Sequence, residues 1–260
     1  MRLLSLSLLW IALPPCIAGQ ERLLRVCADP NNMPFSNEQG QGFENKIAEL
    51  LAAGLDAKLE YIWWSERKSF LKNSLNEHRC DLIGGVPTSL DSVTVTRPYY
   101  KSSYVFVSRD DRHLHLLSLA DPRLSQLRIG IQVVGDDYAP PAFALARRGI
   151  TQNITGFSLF GEYGEHDPPR RIIDAVDRGD IDVAIVWGPF AGYFTKTAAS
   201  RLDITPVTPT LFLGVPFTYN ISMGVRKGNY ALKAKLDEFV QSEWAAIQQI
   251  LRDYGVPEVQ

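Results

Sequence analysis

The sequence has few of the side chains from which most catalytic and metal-binding sites are built. Its 260 residues include four histidines and three cysteines. His113 and His115 alternate and would share one face of a strand, but two ligands without a third are weak evidence for zinc. Gly84 and Gly85 are not followed by the lysine and hydroxyl residue of a phosphate-binding loop. We therefore expect no catalytic residues, no metal and no cofactor.

An excess of charge of either sign is also absent. The 27 basic and 29 acidic residues nearly cancel, and the basic residues are not gathered into one stripe. A nucleic-acid partner is therefore not expected. With 45% hydrophobic residues, the composition is typical of a globular protein long enough for two lobes.

Beyond the N-terminus there is no long apolar run. Arg2, the apolar residues 3–13 and the small residue Ala18 follow the plan of a secretory signal peptide, which we assign to residues 1–19. A membrane anchor is the alternative, but the run is shorter than the roughly 20 residues that span a bilayer, and Pro14 ends it. We expect cleavage of this segment, export to the periplasm and no membrane-spanning helix.

Cysteine is scarce in the mature chain as well. Removal of Cys16 with the signal peptide leaves Cys27 and Cys80. Two cysteines in an exported protein favour one disulfide bond, and both lie on strands predicted to be neighbours. Closing that loop would stabilise the fold by about 4 kcal/mol. Two buried free thiols are the alternative.

Strand and helix periodicity alternate along the chain. The first unit has predicted strands over 22–29, 58–64 and 80–86 and helices over 43–55 and 66–78. The second unit has predicted strands over 127–134, 153–160 and 181–188 and helices over 139–149 and 168–180. This alternation predicts two α/β lobes, each built on a parallel sheet with right-handed crossovers.

Two β-rich segments, 102–111 and 214–228, run between these units, and helical patterns at 229–241 and 242–254 return the chain to the first unit. We therefore expect a first lobe of residues 20–108 and 220–260 and a second lobe of residues 109–219. Two such lobes joined by two connections form a hinged pair with a cleft between them.

The ends of the predicted strands place a binding site in this cleft, because ligands of open parallel sheets bind outside the carboxyl ends of the strands. The cleft residues predicted in this way are Asn31, Asn32, Phe35, Trp64, Pro87, Thr88, Tyr99, Asp136, Tyr138, Trp187 and Pro189. Each type has an alternative role. Large aromatic residues more often pack in cores, asparagine forms turns, and Asp136 would cap the following helix.

Several segments match those of a known family in order and spacing. They include RVCADPNNMPFSN, GFENKIAELLA, DLIGGVPTS, LRIGIQ and DVAIVWGPFAGYF. The chain thereby resembles the periplasmic type II solute-binding proteins of family 3, which serve amino-acid ABC transporters. Through CADPNNMPFSNEQGQGFENKIAELLA, TRPYYKSSYVFV and VWGPFAGYF it also resembles a subgroup, the MxaJ and XoxJ proteins. The resemblance implies the type II periplasmic binding protein fold and a quinoprotein methanol dehydrogenase, which depends on pyrroloquinoline quinone (PQQ), as the partner.

The chain departs from this family where a free amino acid would be held. Family members generally bind the ligand carboxylate with an arginine after the third strand, where this chain has Pro87 and Thr88, and the ammonium with an aspartate after the strand that here ends at Trp187. We therefore expect an accessory factor that assists maturation or activation of the dehydrogenase. The alternatives are a transporter subunit that delivers a small solute to a membrane permease, and an enzyme such as a dehydratase with Glu44 or Asp136 as its acid.

Overall fold

A computed structural model of the protein describes residues 22–65, 70–134, 137–159, 166–257 and 259. At residues 72, 73, 134, 137 and 138 the description covers the backbone alone. The predicted signal peptide at residues 1–19 and the predicted cleft residue Asp136 lie outside the described residues. Among the described helices, none is long and apolar enough to cross a membrane.

Strands and helices alternate along the described chain. The strands are β1 (Leu23–Ala28), β2 (Asn31–Asn32), β3 (Ser36–Asn37), β4 (Lys58–Trp63), β5 (Leu82–Pro87), β6 (Thr94–Val95), β7 (Tyr100–Arg109), β8 (Ile129–Val134), β9 (Asp137–Tyr138), β10 (Ile154–Ser158), β11 (Val183–Trp187), β12 (Leu202–Pro206), β13 (Leu211–Phe212), β14 (Val215–Pro216) and β15 (Thr218–Val225). The helices are α1 (Phe43–Gly54), α2 (Phe70–Asn73), α3 (Pro140–Arg147), α4 (Arg171–Arg178), α5 (Gly188–Phe194), α6 (Tyr230–Ser242) and α7 (Trp244–Asp253).

Most of the strands form one continuous sheet. Its order is β10-β8-β11-β7-β15-β5-β1-β4, with β12 beside β7, β6 beside β15 and β9 beside β8. In the first half, β1 pairs in parallel with β4 and β5, and in the second half β8 pairs in parallel with β10 and β11. The first strand of each half is thus the central strand of a parallel triplet. The two halves repeat one topology, which confirms the predicted α/β fold.

Two long antiparallel strands join these halves. Residues 100–103 of β7 pair with residues 218–221 of β15, and from Tyr104 onward β7 pairs instead with β11 and β12. β15 continues beyond Ile221 along β5. The β-rich segments therefore serve as the connections between the halves: β7 pairs with β11 and β12 of the second half, β15 pairs with β5 of the first half, and the two strands pair with each other. The limits of the lobes at residues 108 and 220 stay a prediction.

An arginine–aspartate pair closes the amino end of each parallel triplet. The Arg25 backbone N–H and guanidinium donate to the Asp81 carboxylate at 2.9 and 3.1 Å, and the Asp81 N–H donates back to the Arg25 carbonyl at 2.8 Å. Arg128 and Asp182 repeat these three bonds at 2.8, 2.8 and 2.9 Å. Each pair fixes the first and third strands of its half against one another.

The core of the first half lies between its sheet and helices α1, α6 and α7. Phe43, Leu51 and Ile247 are fully buried there. Helix α1 begins after Gly42, where an added Cβ would lie 2.0 Å from the Phe35 carbonyl oxygen. Only glycine permits this approach, which brings the loop after β1 against the start of α1.

The second half has a hydrophobic core on each face of its sheet. Ile173 of α4 and Phe194 of α5 pack with alternate residues of β11 on one face. Leu145 of α3 packs with Ile129 and Ile185 on the other face. Burial on both faces is what a parallel sheet requires.

Cys27 and Cys80 form the predicted disulfide bond. Their Cα atoms are 5.6 Å apart, and the residues are separated by 53 positions in sequence. Both are buried, at 2% and 1% exposure. The bond links Cys27 of β1 to Cys80, which lies just before β5. The two cysteines are therefore bonded to each other and are not free thiols.

Two segments differ from the elements predicted by periodicity. Of the helix predicted over 66–78, residues 66–69 lie outside the described residues, and the rest is helical only at Phe70–Asn73. His78 adopts a positive φ of 60°, which a helix does not allow. The segment after β11 forms helix α5, which the periodicity did not indicate. Its seven residues include Gly188 and Gly192, and glycine lowers helix propensity. Tertiary packing buries both glycines and overrides that preference.

Candidate functional site

A groove of about 340 Å³ opens between the two halves, at the carboxyl ends of β5 and β11. Its lining residues are Gly85, Pro87, Tyr104, Gln132, Ala139, Pro140, Leu159, Trp187, Phe190, Tyr219 and Ile221. The ends of β5 and β15 supply one side, and β8, α3 and α5 supply the other. None of these lining side chains is acidic or basic. The groove therefore presents an apolar surface with a few neutral polar groups.

Aromatic rings cluster around Trp187. Its ring centroid lies 5.4 Å from that of Tyr104 and 5.9 Å from that of Tyr219, and both pairs meet edge to face. Tyr104 also meets the buried ring of Phe217 at 6.2 Å. Burial raises the pKa of both Tyr104 and Tyr219 above the ordinary value for tyrosine. Their hydroxyl groups therefore stay neutral, and the cluster offers apolar rings without charge.

Gln132 places a buried amide beside this cluster. Its Oε1 accepts a hydrogen bond from the Trp187 backbone N–H at 2.9 Å. A backbone N–H can only donate, so this bond identifies the accepting atom as oxygen and the other atom as the amide nitrogen. The residue is 2% exposed, and its Nε2 has no acceptor in the described chain. An N–H donor of fixed orientation is thus left unsatisfied at the groove.

The loop that follows β1 is held firmly against α1. Its short strands β2 and β3 pair with each other, and the Asn45 side-chain oxygen accepts from the Asn37 N–H and the Gly42 N–H, both at 3.0 Å. Asn31 and Asn32 form β2 and are half-buried. Neither asparagine is among the groove-lining residues, so their predicted binding role stays a prediction.

Phe35 bridges the two halves beneath the groove. Its ring centroid lies 5.0 Å from that of Phe43 in the first half and 5.1 Å from that of Phe190 in the second half. Phe190 itself lines the groove. Phe35 therefore supports a groove-lining ring from behind.

Tyr99 and Glu44 lie behind the end of β5. The Tyr99 hydroxyl accepts from the Gly85 N–H at 3.0 Å and donates to Glu44 Oε1 at 3.3 Å. Tyr99 is 1% exposed, so its ring belongs to the core of the first half and not to the groove surface. Burial raises the pKa of Glu44 to about 7, although the bond from Tyr99 acts to lower it. Glu44 is one of the two residues considered as the acid of a dehydratase. Its carboxyl is held by the Tyr99 hydroxyl, which also accepts from the Gly85 N–H.

Three other predicted cleft residues, Trp64, Thr88 and Pro189, are not among the groove-lining residues. The Trp64 side chain is exposed, and the Arg79 guanidinium carbon lies 5.4 Å from its ring centroid. The Thr88 N–H donates a hydrogen bond to the backbone carbonyl of Asn220 in β15 at 2.9 Å. Pro189 is buried in the first turn of α5.

Of the predicted set, the structure brings Pro87 and Trp187 together on the groove. For Tyr138 only the backbone is described, and it pairs with Val133 next to the groove residue Gln132. Asp136 lies outside the described residues. The roles of all these residues in binding stay a prediction.

Tyr104, Gln132 and Tyr219 line the groove but were not predicted to do so. Tyr104 and Tyr219 belong to the connecting strands, to which the strand-end rule does not apply. Gln132 did carry a signal, because it is the one polar side chain in the run IGIQVV of β8. A polar group in a buried strand needs a partner or a function.

A larger hollow of about 550 Å³ lies near the amino ends of β1 and β5. It is lined by Arg25, Asp81 and neighbouring residues of the first half. The charges of Arg25 and Asp81 already satisfy one another there. The groove at the carboxyl ends is therefore the better candidate site.

Two α/β halves that are joined by two strands and enclose a groove between them define a periplasmic binding protein of the type II fold. Residues 24–256 match the bacterial extracellular solute-binding proteins, family 3, and the chain belongs to that family. Both the family and the fold are those of solute-binding or accessory proteins.

Within this family, the chain is similar to proteins named MoxJ, XoxJ and MxaJ. It is 29% identical to MoxJ of Methylorubrum extorquens over 248 residues, which are 90% of this chain and 81% of the relative. The crystal structure of XoxJ from Methylobacterium extorquens AM1 has 35% identity and a TM-score of 0.74, over 92% of this chain and 100% of that chain. The structure of MxaJ from Methlophaga aminisulfidivorans MPT has 26% identity and a TM-score of 0.80, over 91% of this chain and 100% of the MxaJ chain. The predicted resemblance to the MxaJ and XoxJ subgroup is confirmed.

Proposed function

We propose that the protein is a non-enzymatic, periplasmic accessory factor for a PQQ-dependent methanol dehydrogenase, and that it assists maturation or activation of that enzyme through the groove. The resemblance to the MxaJ and XoxJ subgroup implies a quinoprotein methanol dehydrogenase as the partner, and the similarity of this chain to XoxJ and MxaJ supports that choice. Membership of an extracellular family and the predicted signal peptide support a periplasmic location.

The chemistry of the groove carries this proposal. A free amino acid requires a cation for its carboxylate and an anion for its ammonium, and none of the groove-lining side chains that the structure describes is charged. Pro87 and Trp187 stand where the family generally has its charged anchors. Rings in an open groove suit a protein partner instead, because tryptophan and tyrosine are favoured anchors of protein interfaces.

A gene deletion in the source bacterium tests the proposal. We expect methanol-dependent oxygen consumption to fall and to recover when the wild-type gene is restored on a plasmid. The measurement is repeated under each metal supply, so that a partner dehydrogenase that uses a different metal is not overlooked. Full methanol oxidation by the deletion strain under every metal supply would contradict the proposal.

A substrate-binding subunit of an ABC transporter is the second candidate function. The observation that favours it is the groove volume of about 340 Å³, which falls within the range of roughly 300–1,000 Å³ found for small-molecule sites. A tight solute supplied at 100 times its Kd would stabilise the fold by about 2.7 kcal/mol. A thermal-shift screen of periplasmic metabolites would detect that stabilisation, whereas an accessory factor that binds only protein would show none.

A further inference from the structure

The unsatisfied amide of Gln132 indicates a missing hydrogen-bond acceptor. Its Oε1 is already occupied by the Trp187 N–H, so the side chain cannot turn over without losing that bond. Nε2 is buried and has no partner in the described part of the chain. Buried donors in folded proteins are normally satisfied, and exceptions call for an explanation. Because Gln132 lines the groove, an acceptor oxygen carried by an occupant of the groove would supply the missing bond.

The remaining groove residues specify the rest of that occupant. Trp187, Tyr104, Tyr219 and Phe190 present rings, and none of the described lining side chains carries a charge. A charged group entering this surface would lose water without gaining an ion partner. An uncharged aromatic side chain would instead find ring partners at favourable edge-to-face geometry.

The partner in the proposed function makes the occupant a polypeptide segment, and the end of β5 offers such a segment an open stretch of backbone. Gly85 is exposed, lines the groove and has a φ of +67°. A Cβ at this position would lie 2.6 Å from Glu44 Oε1, so a side chain cannot be accommodated without displacing the carboxylate. The Glu44 carboxyl occupies the space of the missing side chain, so the wall of the groove is plain backbone at this point. The bare backbone at Gly85 thus gives an extended segment a wall along which to run.

We infer that the groove receives an extended, uncharged segment of the partner dehydrogenase, with an aromatic side chain against Trp187 and a backbone carbonyl that accepts from Gln132 Nε2. This inference rests on the proposed function, and it adds the chemistry of the segment that the groove recognises.

Binding of the purified holo-dehydrogenase to the full-length mature protein tests the inference. We expect Gln132→Met, which keeps the volume and removes the amide, to weaken the Kd on the order of tenfold. We expect Trp187→Ala to weaken it on the order of tenfold or more. The matched controls Gln249→Met and Trp244→Ala alter exposed residues of α7 outside the groove and should leave the Kd within about twofold.

A cross-linking measurement gives a result even where a variant folds poorly. A photo-reactive phenylalanine analogue is placed at Tyr219, in the groove, and in a second protein at Tyr230, which is 69% exposed on α6. We expect the first protein to cross-link to one dehydrogenase peptide that contains an aromatic residue. The second protein should give no cross-link.

The outcomes separate the inference from the proposed function. If the wild-type protein binds the dehydrogenase while both groove variants bind within twofold of it, and the Tyr219 position gives no cross-link, the inference is wrong and the proposed function stands. If the wild-type protein does not bind and the deletion strain oxidises methanol normally, both are wrong. Stabilisation by a free aromatic carbonyl compound in the absence of the dehydrogenase would overturn the assignment of a polypeptide segment.

Discussion

At the scale of single residues, Glu44 is a carboxyl group for which the surroundings favour the neutral form. Added Cβ atoms at Gly84 and Gly85 would lie 2.7 and 2.6 Å from its two oxygens, so the two glycines provide the space that the carboxyl occupies. Its side-chain hydrogen bond comes from Tyr99. Burial outweighs this bond and raises the pKa of Glu44 to about 7.

This pKa predicts a specific dependence of stability on pH. The folded-state pKa of Glu44 lies above the ordinary value of 4.5, so the folded protein holds a proton that the unfolded chain releases. The free energy of unfolding therefore falls as pH rises from about 4.5 to about 7. Relative to Glu44→Gln, the wild-type protein should lose on the order of 1–3 kcal/mol over this interval. Urea unfolding of both proteins at the two ends of the interval measures the difference.

The control for this measurement is Glu49→Gln, which changes an exposed carboxylate on the same helix. It should follow the wild-type dependence on pH. If Glu44→Gln follows it as well, the carboxyl of Glu44 does not titrate in this range.

At the scale of elements, the Cys27–Cys80 bond holds β1 to the start of β5 across 53 positions of sequence. A loop of this length restricts the unfolded chain strongly. We expect the double variant Cys27→Ser and Cys80→Ser to lose about 2–4 kcal/mol of unfolding free energy, measured by urea unfolding. As a control, a thiol reagent applied to the denatured, non-reduced wild-type protein should detect no free thiols. Two reactive thiols per mature chain would contradict the bond.

The arginine–aspartate pair of the second half also holds two strands together. Hydrogen bonding from Arg128 lowers the pKa of Asp182 to about 2, and Arg112 contributes a further bond. Because the folded pKa lies below the ordinary value of 3.8, this contribution to stability is present above pH 4 and is lost as pH falls through about 2. Arg128 is half-exposed, so solvent weakens the pair.

We therefore expect Asp182→Asn to lower the free energy of unfolding at pH 7 by about 1–3 kcal/mol. The matched control is Asp81→Asn in the first half, where the aspartate side chain is 30% exposed against 9% for Asp182. Asp81→Asn should lower the free energy of unfolding by less than Asp182→Asn does. Equal losses in chemical denaturation would show that burial of the pair is not what determines its contribution.

At the scale of the whole molecule, two repeated halves meet along β7 and β15 and leave an uncharged groove between them. Because the groove-lining residues within the described ranges carry no charge, we predict that free amino acids do not bind. A thermal-shift screen of the standard amino acids should give no increase in Tm. The same screen on an amino-acid-binding member of the family is the positive control. A shift of several degrees with any amino acid would favour the transporter function.

The two α/β units, the alternation of their main strands and helices and the disulfide were predicted correctly, whereas helix α5 was not predicted and the helix over 66–78 is described as helix only at Phe70–Asn73. The periodicity of side chains within a strand or helix is set by the backbone over a few residues. Identifying the groove surface is a different problem. Tyr99 and Trp187 were both predicted to line the cleft, yet Tyr99 is 1% exposed in a core while Trp187 lines the groove.

The sequence by itself determined that this chain forms two α/β units whose strand ends face a common cleft, because periodicity and the connections between elements are local properties. Only the tertiary structure decided which side chains form the groove. The Trp187 N–H that orients Gln132 is 55 positions away in sequence, and the Tyr99 hydroxyl that holds Glu44 is 55 positions away. Such contacts depend on how distant elements pack, and no pattern of neighbouring residues encodes them.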